Sequence, residues 1–332
     1  MVSYKFNHVF IKDWYSIATP KETLGAVKKY NQIIPDNYFG EKTYERAEAK
    51  MQRVVIDNLL KRNDLQTKLD LIIGGELANQ LAILNMTMSK YPYSYLGVYS
   101  ACASFNESLI ILGNLIDSKK IKNGLCLTSS HTEVAERQFR YPIEYGSPRL
   151  KRSTMTATGS SGVILSTEGK IMVTKATIGS SVNYGISDAN NMGAVMAPAA
   201  AKTLMAHLKN FKETPDIYDL VLTGDLGRIG SQLFLEILKK NNIKLTNYYD
   251  AGSLLFQEKD FNNAGSSGPV SLPLVLFNKI IPSKKYKNIL LLATGALHSP
   301  TLVNQHEEIP SICHAVSLEV LWFIYIHFYS VE

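Results

Sequence analysis

The chain carries two copies of one pattern, and a duplication restricts the fold more than any other feature it has. Leu69-Asp70-Leu71-Ile72-Ile73-Gly74-Gly75-Glu76-Leu77 reappears 149 residues later as Tyr218-Asp219-Leu220-Val221-Leu222-Thr223-Gly224-Asp225-Leu226. Lys119-Lys120-Ile121-Lys122-Asn123 reappears 165 residues later as Lys284-Lys285-Tyr286-Lys287-Asn288. The two offsets place a 16-residue insertion between the matched segments of the second copy. Both copies read in one order: helix, short buried strand, connection, helix, strand.

Apolar spacing predicts a helix over 43–62, with Ala47, Met51, Val54, Val55 and Leu59 on one face. Further helices are expected at 104–118, 197–211, 231–240 and 270–280. Strands are expected at 69–73, 95–99, 124–128, 158–166, 171–178 and 219–223, with 289–293 as the last clear one. Residues 131–156 read as a long polar connection and 248–261 as the insertion. Alternating helices and strands make an α/β protein. Continuous apolar runs such as 69–73 belong to strands covered on both faces. A helical layer must then lie between each sheet and its duplicate, which gives a five-layer αβαβα arrangement with pseudo-two-fold symmetry. The expected halves are 1–168, which carries Cys102, and 169–332, packed as one compact unit.

Hydrophobic residues make up 45% and charged residues 19%, a composition that builds a core. The net charge of +6 is spread along the chain without a block of like charge, which argues against a nucleic-acid arm. Three cysteines, at 102, 126 and 313, form no CxxC pair, so neither a disulfide framework nor a zinc site is expected, and a reducing compartment is. Residues 1–7 are polar, and no signal peptide is expected. Residues 320–329 are apolar and aromatic but too short to span a bilayer. Two readings stand for them: a last buried element of the core, or a tail that meets a membrane surface or a partner.

The offset of 165 sets Cys102 opposite Ser267, each just before a helix. A helix start offers backbone N–H groups and the positive end of the dipole. Such a place lowers a thiol pKa and makes a nucleophile. It also binds anions with no covalent step. A small buried thiol is the third reading.

A duplicated αβαβα architecture with a cysteine at the start of a buried helix resembles the thiolase and ketoacyl-synthase superfamily. In the synthase branch a histidine follows the strand equivalent to 220–223. An asparagine lies in the turn equivalent to Gly265-Ser266-Ser267-Gly268. The resemblance puts Gly224 in the histidine slot and Ser266 in the asparagine slot. Claisen chemistry uses both groups. Their loss implies a degenerate site in which Cys102 is a vestigial nucleophile and no residue is catalytic.

The stretch Ser129-Ser130-His131-Thr132-Glu133-Val134-Ala135-Glu136-Arg137-Gln138-Phe139-Arg140-Tyr141-Pro142-Ile143-Glu144-Tyr145-Gly146 resembles the signature of the stage V sporulation protein AD family, thiolase-like proteins of endospore formers. Gly185-Ile186-Ser187-Asp188, Asn191-Met192-Gly193-Ala194-Val195-Met196 and Ala293-Thr294-Gly295-Ala296-Leu297-His298-Ser299-Pro300 support it. The likeness runs from about residue 40 to about residue 315, is looser up to Phe39, and meets Ala315 where a glycine is expected. It implies non-catalytic binding of dipicolinic acid, alone or as its calcium chelate, for uptake into the developing spore. The implied partners are the other stage V sporulation A membrane proteins, and the implied place is the cytoplasm or the face of the forespore or inner spore membrane. No cofactor is implied. The superfamily's habit of pairing across an edge strand implies a homodimer.

Dipicolinate is a flat dianion, so its site needs donors at both ends and a partly apolar slot between. The expected ligand set is Cys102, His131, Arg137, Arg140, Gly224, Asp225, Ser266 and Ser267. Arg137 and Arg140 stand three apart and would point the same way on a helical turn. Either grips a carboxylate in a bidentate fork, or both pin the loop to Glu133, Glu136 or Glu144. His131 is a donor to the ligand or a satisfied core histidine, while Phe139 and Tyr141 offer flat surface. Asp225 alone falls short of a calcium site, and no metal is expected. The alternative function is an acyltransferase or ketoacyl-synthase-like enzyme working through Cys102, with His131, His298 or Asp225 as base.

Overall fold

The computed structural model describes residues 1–66, 68–140, 150–257, 259 and 263–321. Its strands are β1 (Val2–Lys5), β2 (Phe10–Ala18), β3 (Gln32–Ile33), β4 (Leu71–Gly75), β5 (Ser94–Gly97), β6 (Asn123–Ser130) and β7 (Met155–Thr156). Then come β8 (Gly159–Ser166), β9 (Ile171–Ile178), β10 (Leu220–Thr223), β11 (Tyr248–Asp250), β12 (Ser266–Ser267), β13 (Asn288–Ala296) and β14 (Ser311–Val320). The helices that place the site are α1 (Tyr44–Asn63), α2 (Ala82–Met88), α3 (Ser104–Asp117), α4 (Thr132–Phe139), α5 (Met192–Phe211), α6 (Gly227–Lys240) and α7 (Ala251–Leu255).

Duplication is written into the strand order, which runs β11-β10-β13-β14-β9-β2-β8-β6-β4-β5. Read from either end, the pairings are the same: two parallel, then two antiparallel, meeting at an antiparallel contact of two residue pairs between β2 and β9. The matched segments even share their hydrogen bonds. Asp70 Oδ2 accepts the N–H groups of Lys122 (2.8 Å) and Asn123 (2.9 Å). Asp219 Oδ2 accepts those of Lys287 (2.7 Å) and Asn288 (2.8 Å).

Side-chain alternation along the strands assigns the layers. Leu71 and Ile73 of β4, Cys126 of β6, Leu220 and Leu222 of β10, and Ile289 and Leu291 of β13 face one central core. Two helical segments fill it: α3, through Phe105, Leu109 and Leu112, and the helix Ser271–Val275 with the π turn Leu276–Ile280 that continues it. The intervening residues face outward. Ile72, Leu125 and Leu127 meet Met51, Val55 and Leu59 of α1. Val221, Leu290 and Leu292 meet Ala197, Ala201 and Leu204 of α5 and Phe234 of α6. The order helix, sheet, helix, sheet, helix is the thiolase-like five-layer α/β fold.

Several elements depart from the sequence reading, β2, α4 and β14 among them. Helix α4 occupies the stretch expected to be a connection, because Val134 and Ala135 bury one side of an otherwise charged eight-residue turn of chain. Strand β14, not the segment at 289–293, is the last described strand, and it lies between β13 and β9 in the interior of the sheet. Its Ser311, His314 and Ser317 break the apolar signal, yet all three are buried. Ala315 sits in mid-strand opposite Leu292 and Thr177, fully buried. Of the apolar tail, Val320 closes β14 and is buried, and residues 322–329 lie outside the described residues. Among the described residues no helix is long and apolar enough to cross a membrane.

Candidate functional site

The loop from β5 to α3 turns sharply at Ala101, which takes a left-handed conformation (φ +49°) uncommon for a residue with a side chain. The turn fits because Gly295 in β13 has no side chain: a Cβ there would lie 2.1 Å from the Ser100 carbonyl oxygen. Ser104 holds the turn, accepting the Ser100 N–H (3.1 Å) and donating to the Ala101 carbonyl (2.8 Å). Cys102 is thereby set at the mouth of α3. The N–H groups of Ala103 and Ser104 already donate to the carbonyls of Ser100 and Ala101. The helix start therefore offers fewer open donors than its position suggests.

Cys102 lines a pocket of about 500 Å³, mouth included, between the two halves of the duplication. Arg140, Asp225 and Ser267 line it with Cys102. Asp225 follows β10 and is buried, accepting from Thr294 Oγ1 (2.8 Å) and from the Gly268 N–H (3.3 Å). The Cys102 thiol also donates to it. Burial raises the Asp225 carboxyl to about 7, and the neighbouring Asp250 adds to the rise against the three donors. Burial first, and then the Asp225 carboxylate, push the Cys102 thiol well above its ordinary value, while the Gly268 N–H opposes this in part. Gly268 itself has φ +108°, and a Cβ on it would lie 2.7 Å from Ser130 Oγ. A thiolate is the nucleophile in acyl transfer, so a thiol held protonated beside a carboxylate is poorly suited to that step.

Asp250 shapes this end of the site without entering the pocket. Its carboxylate accepts the N–H groups of Leu226 (2.9 Å), Gly227 (2.9 Å) and Ser253 (2.8 Å), and the hydroxyls of Thr223 (2.8 Å) and Ser253 (3.0 Å). The chain that carries Asp225 is thus fixed at the start of α6. On the opposite side β7 pairs with β12 in parallel, Thr156 opposite Ser267, and brings Ser267 to the wall.

Four of the eight expected residues lie elsewhere. Gly224 hydrogen-bonds to the Leu292 carbonyl (3.0 Å) and is packed beside Leu272 and Ala293. Ser266 is fully buried and donates to Ser271 Oγ at 2.9 Å. From these two segments the residues that face Cys102 are Asp225 and Ser267, each one position after the assigned slot. His131 is a core histidine: Nε2 lies 2.8 Å from the Asn37 carbonyl oxygen and Nδ1 3.0 Å from Glu133. Arg137 pairs with Glu45 on the surface, whereas Arg140 pairs with Glu136 (2.8 Å) and reaches the pocket. The spacing of three fails because α4 ends at Phe139, and Arg140 turns out of the helix at φ −130°, ψ −84°. Tyr141 and Glu144 lie outside the described residues.

The expected set omits His298, Glu136 and the apolar walls Leu77, Tyr99, Met192 and Met196, while Phe139 lies where its flat surface was expected. Met192 and Met196 are four apart at the start of α5, a spacing that puts them on one helical face. Burial, with Arg140 beside it, lowers the His298 imidazole to about 4.

A first expected outcome concerns Asp225. Its carboxyl is near 7 in the fold against 3.8 ordinarily, so the fold retains a proton that the unfolded chain releases. The stability this confers is complete below about pH 4 and lost as pH rises through about 7. Asp225→Asn removes the cost of the buried charge, so the variant should gain on the parent by on the order of 4 kcal/mol between pH 4 and pH 8. Thermal unfolding at both ends of that range checks it, and a pH-independent difference contradicts it.

A family model described as stage V sporulation protein AD matches residues 3–319, and so reaches well into the segment that looked only loosely similar. Stage V sporulation protein AD of Bacillus subtilis (strain 168) is 36% identical over 322 residues, 95% of each chain. Among solved structures, a form of OleA from Xanthomonas campestris superposes with a TM-score of 0.62 at 12% identity, over 95% of this chain and 100% of that one. The 3-oxoacyl-[acyl-carrier-protein] synthase III of Aquifex aeolicus VF5 superposes with a TM-score of 0.55 at 14% identity, over 96% and 100%. At such identities these two structures speak for the fold alone.

Proposed function

The chain belongs to the stage V sporulation protein AD family, and on that premise we propose that its Cys102 pocket binds dipicolinic acid without turning it over, for uptake into the developing spore. The observation that carries the reading is the pairing at the pocket floor. A thiol that donates to a buried carboxylate, and is itself pushed well above its ordinary value, is a hydrogen-bonding group. The walls suit a small flat ligand: Tyr99, Phe139, Met192 and Met196 offer apolar surface, and Arg140 offers a planar cationic fork for a carboxylate. Calorimetric titration tests the reading, with saturable binding expected. No binding at millimolar dipicolinate by folded protein ends it.

Cys102→Ser should retain affinity within about threefold, because a hydroxyl also donates to Asp225 and a lost neutral bond is worth about 1 kcal/mol or less. The same variant separates the enzymatic alternative. Intact mass after incubation with acyl-CoA thioesters is expected to stay unchanged. A stable adduct, lost in the variant, would favour an acyltransferase working through Cys102.

The surroundings are part of the proposal. β5 ends the sheet, with Leu96 of its outer edge half exposed, and a homodimer would extend the sheet across it. The remaining stage V sporulation A proteins at the spore membrane are the proposed recipients of the ligand.

A further inference from the structure

His298 is buried in the wall of the Cys102 pocket, 7% exposed, with its ring edge-on to Phe139 at a centroid separation of 5.3 Å. Neither Nδ1 nor Nε2 has a hydrogen-bond partner. Buried polar atoms are nearly always paired, and an unpaired one costs free energy. Two on one ring, in a residue that lines a cavity, point to a ligand. The charged and titratable groups around the ring are Glu136 from α4, Arg140 just after it, Asp225 after β10, Cys102 before α3, and Tyr99. Burial and the Arg140 guanidinium hold the ring neutral until an anion arrives.

A neutral imidazole has one donor nitrogen and one acceptor nitrogen. Dipicolinate near neutral pH offers acceptors only: carboxylate oxygens and a pyridine nitrogen. Such a ligand satisfies one nitrogen of the neutral ring, and both only when the ring carries a second proton. We propose that His298 contacts the ligand directly and takes up a proton from solvent as it binds, so that capture of the aromatic dianion is coupled to protonation. The new N–H bond forms on the imidazole, and the imidazolium adds a positive charge beside the Arg140 guanidinium, which Glu136 already partly offsets. Ligand release then returns the proton, which makes affinity fall as pH rises. This inference rests on the dipicolinate reading above.

Calorimetry in two buffers of different ionisation enthalpy counts the protons. At about pH 6 a carboxyl near 7 is already mostly protonated, so Asp225 contributes little and uptake reports the imidazole. About one proton per ligand is expected in the parent and in Asp225→Asn, and close to none in His298→Gln. One proton taken up means that affinity falls about tenfold per pH unit, a slope that His298→Gln should flatten in the Asp225→Asn background. Equal uptake in parent and His298→Gln, or none in the parent, overturns the inference. Should His298→Gln fold poorly, NMR titration of the parent's histidine ring protons decides: one ring must titrate at higher pH with ligand than without, and unchanged titration of every ring overturns it. Binding without proton uptake removes this inference alone, whereas absence of binding removes the dipicolinate reading beneath it.

Discussion

Arg140→Leu is expected to weaken dipicolinate binding about a hundredfold, which corresponds to about 2.7 kcal/mol. Truncating one member of a buried, hydrogen-bonded charge pair costs about 2–5 kcal/mol, so the figure lies in the lower part of that range. Two effects act together. The ligand loses its bidentate partner, and Glu136, now without the guanidinium at 2.8 Å, leaves a carboxylate at the same wall. Arg140→Lys keeps the charge and loses the planar fork, so it should bind between parent and Arg140→Leu. Arg137→Leu is the control. Its guanidinium pairs with Glu45 on the surface, and binding should change by less than about twofold, since exposed pairs contribute little. Titrations of the three variants check the series. An Arg140→Leu protein that binds as the parent does would remove Arg140 from the site.

The second large effect is on stability, through Asp250→Ala. That carboxylate satisfies five donors from three segments: the end of β10, the start of α6 and the start of α7. Alanine leaves the buried N–H groups of Leu226 and Gly227 without acceptors. Each unsatisfied buried group costs about 1–3 kcal/mol, and relaxation recovers part of the sum, so a loss of about 3–5 kcal/mol is expected. Asp250→Asn keeps one acceptor oxygen and should lose roughly half as much. Urea unfolding monitored by circular dichroism measures both. A change below about 1 kcal/mol in Asp250→Ala would mean that the segments are held by other contacts. Because Leu226 and Gly227 follow Asp225 directly, the variant should also lose ligand affinity even where it stays folded.

The chain's own sequence carried the fold. Copies at fixed offsets, each with a continuous apolar strand, already require two sheets with helices outside and between. Asp70 and Asp219 then make the same pair of hydrogen bonds in both halves. Cys102 was legible for a local reason too: its place before α3 is a matter of helix boundaries, which follow from apolar periodicity and length. Strand β14 was not legible, because its buried serines and histidine find partners and burial only once β13, β9 and α5 surround them.

Side-chain direction was decided by tertiary structure alone. One residue of slip in an extended segment reverses which side chain faces the cavity. The slip at Gly224/Asp225 is fixed by Asp250, 25 residues beyond Asp225, and that at Ser266/Ser267 by pairing with Met155 and Thr156. The arginines show the same limit: spacing groups Arg137 with Arg140 only while the helix continues, and it stops between them. His298 drew attention only as a base, since a histidine's neighbours, and so the lack of a partner for either of its nitrogens, are set by chain segments remote in sequence. Sequence alone determined the duplicated elements and how they layer, because local periodicity and duplication are written along one dimension. Which polar groups meet in the pocket, and in what protonation state, needed the three-dimensional structure, because burial and pairing are properties of the assembled whole.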